Sequence, residues 1–130
     1  MKPEHRELVD RLGSARRVLV VDDHASFRGC ARALLTAEGF EVVGEAENGA
    51  SAIALAAELE PEFVLLDIQL PDIDGFEVAS RLLARDRELK IVLVSSRDRS
   101  AYGSLVEESG ALGFVAKADL SGIVLEGLLG

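Results

Sequence analysis

Polar residues follow several short apolar runs in this sequence, a pattern that places reactive groups at the ends of strands. Asp22 and Asp23 come directly after one run, and Asp67 comes directly after another. Two further runs are followed by Ser95 and by Lys117. If these runs are parallel strands, their carboxyl ends share the edge of the sheet where such folds bind ligands. We therefore expect three carboxylates, a hydroxyl and an ammonium group to meet there.

The chemistry of such a set is that of a phosphoryl group and a metal ion. Carboxylates within a few ångströms of one another raise each other's pKa unless a cation neutralises them. Oxygen ligands without histidine or cysteine favour a hard cation, above all Mg²⁺, which keeps positions open for phosphate oxygens. Lys117 would add a second positive charge and Ser95 a hydrogen-bond donor. We predict Mg²⁺ as cofactor and a carboxylate that carries a phosphoryl group.

Each of these residues also has a plainer explanation when it is taken alone. The acidic pair Asp22–Asp23 could cap the helix that begins near Ala25. Asp67 could be a turn residue, and Lys117 could be an ordinary solvated lysine. We favour the site because several such explanations would be needed at once, all on the same edge of the sheet.

Two residues that often carry chemistry give weaker signals. His24 stands alone on a predicted loop, and we expect it to face solvent rather than to act as an acid or base. Cys30 is the only cysteine, so the chain cannot form an internal disulfide. It falls on the apolar stripe of a predicted helix, and we predict a buried thiol there.

Two hydrophobic periods alternate along the chain, one typical of strands and one typical of helices. The predicted strands are Val18–Val21, Glu41–Glu45, Phe63–Leu66, Ile91–Val94 and Gly113–Ala116. Helical segments lie between and after them, with Gly39 and Pro61 as stops, and the spacing of residues 102, 105, 106 and 109 predicts one of these helices. Unbroken apolar strands indicate helices on both faces. The fold class is therefore α/β, an open parallel sheet with right-handed crossovers.

Size and charge narrow the function classes. The 130 residues suit one domain, which we place at residues 16–130 after an N-terminal arm of residues 1–15. The net charge of −9 and the scattered basic residues argue against direct binding of nucleic acid. No apolar stretch approaches the roughly 20 residues of a membrane helix, and the N-terminus lacks a secretion signal. We expect a cytoplasmic protein that does not bind a membrane.

Four segments together resemble the signature segments of response-regulator receiver domains from bacterial two-component systems. They are Val18–Asp23, Leu65–Gly75, Val92–Ser96 and Gly110–Lys117. They occur in the same order as in that family, and the resemblance extends over residues 16–129. It implies a flavodoxin-like (βα)5 three-layer sandwich whose five-stranded parallel sheet has the order 2-1-3-4-5.

The resemblance also implies which residues hold the phosphoryl group and the metal. Asp67 would be the phospho-acceptor. Asp23 and Asp67 would bind Mg²⁺ directly, together with the backbone carbonyl of Gln69. Asp22 would act mostly through water.

Three further roles follow from the resemblance. Ser95 would donate a hydrogen bond to a phosphoryl oxygen, and Lys117 would pair with another. Phe114 stands at the position of the switch aromatic; it has no hydroxyl, so its switching would rest on burial alone. Ala118 follows Lys117, where many receivers have a cis proline, and this resembles the receivers that precede helix-turn-helix domains. The chain ends at Gly130, directly after the fifth predicted helix, and we expect a regulator without an output domain of its own.

The implied function is a signalling switch. A sensor histidine kinase would phosphorylate Asp67, and the face of helix 4, strand 5 and helix 5 would change its binding to a downstream protein or to a second copy. Such a protein is not an enzyme beyond its own phosphorylation and dephosphorylation. An unphosphorylated protein-binding module and an aspartyl phosphohydrolase are the alternatives. The phosphohydrolase is disfavoured because Gln69 stands where such enzymes have a second carboxylate, and a nucleotide binder because no glycine-rich phosphate loop is present.

Overall fold

A five-stranded parallel sheet forms the centre of the computed structural model, which describes residues 16–129. Its strands are β1 (Arg17–Val21), β2 (Glu41–Ala46), β3 (Phe63–Asp67), β4 (Lys90–Ser95) and β5 (Gly113–Ala116). They are hydrogen-bonded in the order β2-β1-β3-β4-β5. This confirms the flavodoxin-like fold expected from the sequence. The predicted arm of residues 1–15 lies outside the described residues.

Five α-helices cover the two faces of this sheet. They are α1 (Ala25–Ala37), α2 (Gly49–Leu59), α3 (Gly75–Arg85), α4 (Leu105–Glu108) and α5 (Gly122–Leu129), with short 3-10 helices at Arg99–Tyr102 and Lys117–Asp119. Helices α1 and α5 pack on one face, while α2, α3 and α4 pack on the other. None of the helices within residues 16–129 is long and apolar enough to cross a membrane.

Strand β1 shows why the strands appear in the sequence as unbroken apolar runs. Val18 and Val20 belong to the core beneath α1 and α5, whereas Leu19 and Val21 belong to the core on the opposite face. All four side chains are fully buried. Because successive side chains of a strand point to opposite faces, a strand covered on both sides needs an apolar residue at every position.

The structure divides the predicted fourth helix into two parts. A 3-10 helix ends at Tyr102, and α4 begins only at Leu105. Between them Gly103 has a φ of 57°, a left-handed conformation that glycine adopts without steric cost. Helical spacing across this segment was therefore misleading, because the backbone turns at the glycine and Tyr102 does not share a helix face with the residues of α4.

The predicted burial of Cys30 is wrong, because its side chain is exposed. Helix α1 buries Ala31 and Leu35 completely and only partly covers Phe27 and Leu34. The buried stripe is centred on the first pair, which lies one helical turn apart on the side that meets the sheet. Cys30 lies outside that stripe.

Two glycines provide a matched test of the backbone packing that supports the sheet edge. A Cβ on Gly75 would lie 2.5 Å from the Asp67 carbonyl oxygen, whereas a Cβ on Gly29, inside α1, would have no atom within 4 Å. We expect Gly75→Ala to lower the free energy of unfolding by at least about 2 kcal/mol, since backbone cannot move aside easily. Gly29→Ala should raise it by about 0.5 to 1 kcal/mol. Urea unfolding of both variants checks this; a wild-type midpoint for Gly75→Ala would contradict it.

Candidate functional site

The carboxyl ends of β1 and β3 bring an acidic cluster together. The two strands are neighbours in the sheet, and Asp22 follows β1 while Asp67 ends β3. Asp22, Asp23, His24 and Asp67 each place a possible ligand atom within 4.8 Å of the others. Asp22 is fully buried and Asp67 is 2% exposed, whereas the other two are exposed. The three acidic residues singled out in the sequence therefore do meet.

The ionisation of Asp67 is strongly affected by its surroundings. Burial, and then the negative charge of Asp22, raise the pKa of Asp67 to about 6. Two contacts act in the opposite direction: the Gln69 N–H donates a hydrogen bond of 3.1 Å to Asp67 Oδ1, and the Lys117 ammonium lies near Oδ2. Desolvation and the like charge outweigh these two contacts, so further positive charge at this edge would stabilise the ionised form of Asp67.

Lys117 reaches the cluster, as the sequence led us to expect, but it lies closer to Asp22 than to Asp67. Its Nζ is 2.6 Å from Asp22 Oδ2 and 3.5 Å from Asp67 Oδ2. The contact with Asp22 is an ion pair without hydrogen-bond geometry. The ammonium also lies 4.6 Å from the ring centroid of Phe27 on α1. It bridges two buried carboxylates and is held over an aromatic ring.

His24 has a closer relation to the site than its sequence position suggested. Its side chain is 67% exposed, so the predicted solvent-facing orientation is partly confirmed. Yet its Nδ1 lies 3.2 Å from Asp22 Oδ1 and 3.1 Å from Asp23 Oδ1, and its backbone N–H donates to Asp22 Oδ1 at 2.8 Å. The one sequence signal was its place directly after two acidic residues at a strand end.

Arg28 is a supporting residue that the sequence analysis missed. Its Nη1 donates a hydrogen bond of 2.7 Å to the Asp22 carbonyl oxygen, which ties α1 to the loop after β1. Glu45 on β2 accepts from Arg28 at 3.0 Å and from Arg32 at 2.6 Å. Hydrogen bonds from these arginines, that of Arg32 above all, lower the pKa of Glu45. This chain of contacts fixes the loop that carries the acidic pair.

Ser95 and Phe114 belong to a neighbouring group around Tyr102. Ser95 is fully buried at the end of β4; its Oγ accepts a hydrogen bond from the Arg97 N–H at 3.0 Å and lies 2.6 Å from the Tyr102 hydroxyl. The Tyr102 ring in turn packs against Phe114. The helical spacing of the sequence placed Tyr102 on a predicted helix, and no pattern in the sequence indicated its contact with Ser95.

The donor set of the cluster fits a hard divalent cation. It offers two buried carboxylates and one exposed carboxylate, and the Lys117 ammonium lies 2.6 Å from Asp22 Oδ2. Burying carboxylates is costly unless charge compensates them, and one lysine offsets only one of the two buried negative charges. Asp23 is exposed, so an ion at this edge could keep part of its water shell, as Mg²⁺ does in most proteins.

Comparison with known proteins identifies the family. A family model described as the response regulator receiver domain matches residues 18–124. This chain therefore belongs to the response regulator receiver domains of two-component systems. The response regulator GacA of Pseudomonas aeruginosa is 38% identical over 102 residues, which are 78% of this chain and 48% of GacA. BvgA of Bordetella pertussis is 40% identical over 101 residues, with the same coverage, so the chain spans about half the length of these relatives.

Solved structures agree with this assignment. A LuxR-family two-component response regulator from Aurantimonas sp. SI85-9A1 superposes with a TM-score of 0.80 and 30% identity, covering 89% of this chain and 86% of that one. The CheX–CheY–BeF3–Mg complex of Borrelia burgdorferi gives a TM-score of 0.78 at 23% identity, covering 87% and 85% of the two chains. The second likeness supports the fold alone.

The raised pKa of Asp67 predicts a pH-dependent stability in the absence of metal. The folded state holds the Asp67 proton more tightly than the unfolded chain, so stability falls as the pH rises from about 4 to about 6. Asp67→Asn removes this loss and should raise the free energy of unfolding above pH 6 by about 1 to 3 kcal/mol in chelator. Below about pH 4 the two proteins should differ little. Denaturant unfolding across this pH range checks it; an equal gain at every pH would contradict the assigned cause.

Proposed function

We propose that this receiver domain is a phosphorylation-activated switch in which Asp67 accepts a phosphoryl group from a sensor histidine kinase in the presence of Mg²⁺. The observation that carries the proposal is the meeting of Asp22, Asp23, Asp67 and Lys117 at the carboxyl edge of the sheet. Membership of the receiver family supports the same reaction. Asp67 combines burial with a nearby cation, and its raised pKa still leaves it ionised above about pH 6.

Different residues of the cluster would bind the metal ion and the phosphoryl group. Asp23, Asp67 and the backbone carbonyl of Gln69 would ligate Mg²⁺, and Asp22 would act mostly through water. The metal supplies positive charge that offsets the phosphoryl oxygens. An ionised Asp67 oxygen would attack the phosphorus, the P–N bond to the phosphohistidine of the kinase would break, and its electron pair would leave with the imidazole nitrogen. Lys117 would pair with a phosphoryl oxygen.

The position of Lys117 in the structure is compatible with these proposed roles. Before phosphorylation its ammonium lies nearer Asp22 than Asp67. Phosphorylated Asp67 would carry about −1.5 to −2 charge on its phosphoryl oxygens, in place of the single charge of the carboxylate. That charge should draw the ammonium from Asp22 towards the new oxygens, which frees Asp22 to orient metal-bound water.

The output would be a changed protein-binding face rather than a chemical product. We place that face on residues 99–108, β5 and α5, and its partner would be a downstream protein or a second copy of the chain. Exposed apolar residues in this part of the structure are Leu105, Leu112, Ile123 and Val124. The acidic net charge of −9 supports a protein partner over nucleic acid or an anionic membrane. We place the switch in the cytoplasm with its kinase.

Phosphorylation of Asp67 is directly measurable. Acetyl phosphate with Mg²⁺ should add one phosphoryl group to the wild-type protein, and Asp67→Asn should abolish the addition because the amide is not a nucleophile of this kind. Asp98→Asn, an exposed acid in the loop after β4, is the matched control and should be modified like the wild type. Intact-mass spectrometry reports the result. A full mass shift in Asp67→Asn would move the acceptor elsewhere, and no shift in the wild type would favour the unphosphorylated module.

Metal binding should depend unequally on the two adjacent aspartates. Asp23→Ala should weaken Mg²⁺ binding more than Asp22→Ala, because only Asp23 is proposed as a direct ligand. Loss of an indirect contact typically costs about tenfold or more in affinity, and loss of a ligand should exceed it. Calorimetric titration of both variants, with Asp98→Asn as control, measures the difference. Equal losses would contradict the assigned roles.

A further inference from the structure

The hydroxyl of Tyr102 makes a contact that links the candidate site to the surface. It lies 2.6 Å from Ser95 Oγ, at the end of a 3-10 helix rather than on the sheet. The family resemblance implied Phe114 as the switch aromatic, yet Phe114 has no hydroxyl with which to contact Ser95. Tyr102 supplies one from a different element.

The hydrogen-bonding capacity of Ser95 limits what it can do at once. A serine hydroxyl has one proton and two lone pairs. The Arg97 N–H occupies one lone pair at 3.0 Å, and Tyr102 takes either the proton or the second lone pair. Both contacts join Oγ to the segment that follows β4. When Ser95 gives its proton to Tyr102, none is left for a phosphoryl group on Asp67, so the hydroxyl must turn away from Tyr102 before it can donate there.

The ring of Tyr102 would carry that change into the surrounding structure. It packs edge-on against Phe76 of α3, with ring centroids 5.7 Å apart, and at a tilt against Phe114 of β5, at 6.0 Å. Its neighbours Ala101 and Gly103 are exposed. The half-buried Tyr102 side chain thus connects this exposed turn to the buried end of β4.

We propose that Tyr102 senses the phosphorylation state of Asp67 through Ser95. Its hydroxyl accepts the Ser95 proton and so holds Ser95 in the unphosphorylated orientation. When Ser95 turns to the phosphoryl group, the bond is lost and residues 99–105 rearrange. Tyr102 is a positioning residue in this scheme, because it touches Ser95 and not the reacting atoms. The inference rests on the proposed function and adds to it the residue that transmits the signal.

Tyrosine fluorescence tests this without altering the protein. The chain has one tyrosine and no tryptophan, so its tyrosine emission reports Tyr102 alone. Beryllofluoride with Mg²⁺, used as a stable stand-in for the phosphoryl group, should change that emission in the wild type. Ser104→Ala is the matched control, since it removes a hydroxyl from the same turn that bonds only Glu108. It should show the same change as the wild type, and Asp67→Asn should show none.

Amide hydrogen exchange of Tyr102→Phe provides the second readout, because this variant keeps the ring and loses only the hydroxyl. Without beryllofluoride, residues 99–105 should exchange about fivefold faster than in the wild type, the effect of one neutral hydrogen bond. In Tyr102→Phe, adding beryllofluoride should change the amide exchange of residues 99–105 only slightly. In the wild type and in Ser104→Ala, beryllofluoride should accelerate the exchange of the same residues.

Fluorine NMR of bound beryllofluoride separates the two ways of failing. If beryllofluoride binds the wild type but tyrosine emission stays constant, or if Tyr102→Phe exchanges like the wild type in both states, the role of Tyr102 is overturned and the proposed function stands. If beryllofluoride does not bind the wild type at all, the proposed function fails and the role of Tyr102 falls with it.

Discussion

Three carboxylates share the carboxyl edge of the sheet with the ammonium group of Lys117, and two of the three, those of Asp22 and Asp67, are buried. Charges held out of water repel strongly and are tolerated only where something compensates them. Here the compensation is incomplete, since the pKa of Asp67 rises to about 6 despite the lysine. Strands covered by helices on both faces hold the carboxylates in place against this repulsion. A bound cation would therefore stabilise the site, and any added charge would change the interactions among these groups.

That sensitivity connects the chemistry to the rest of the molecule. Lys117 precedes α5, and Ser95 precedes the turn that carries Tyr102. Both groups that would contact a phosphoryl group therefore lie where a strand leads into the proposed binding face of residues 99–108, β5 and α5. A switch of this kind needs an element with two arrangements and a charge that favours one of them. The turn of residues 99–104 is suited to be that element. It is short and largely exposed, and the Tyr102 side chain links it to Ser95 at the end of β4.

Much of this arrangement could be predicted from the sequence, for physical reasons that differ between residues. Buried parallel strands require apolar side chains on both faces, so β1, β3 and β4 were visible as runs, and the polar residues that end them marked the edge of the sheet. Hydrophobic spacing was less informative where the packing is partial. It joined Tyr102 to α4 although Gly103 turns the backbone, and it placed Cys30 inside a stripe that is narrower than the pattern suggested. The contact of Tyr102 with Ser95 and the preference of Lys117 for Asp22 depend on side-chain directions, which no sequence period encodes.

The central claim is that Asp67 carries the phosphoryl group while the charges around it rearrange. A crystal structure with Mg²⁺ and beryllofluoride tests both halves together. The account predicts beryllium bonded to an Asp67 oxygen, Mg²⁺ beside Asp23, and Lys117 Nζ moved from its 2.6 Å contact with Asp22 to a fluoride. Beryllofluoride bound away from Asp67, or bound there with Lys117 still paired to Asp22, would contradict it.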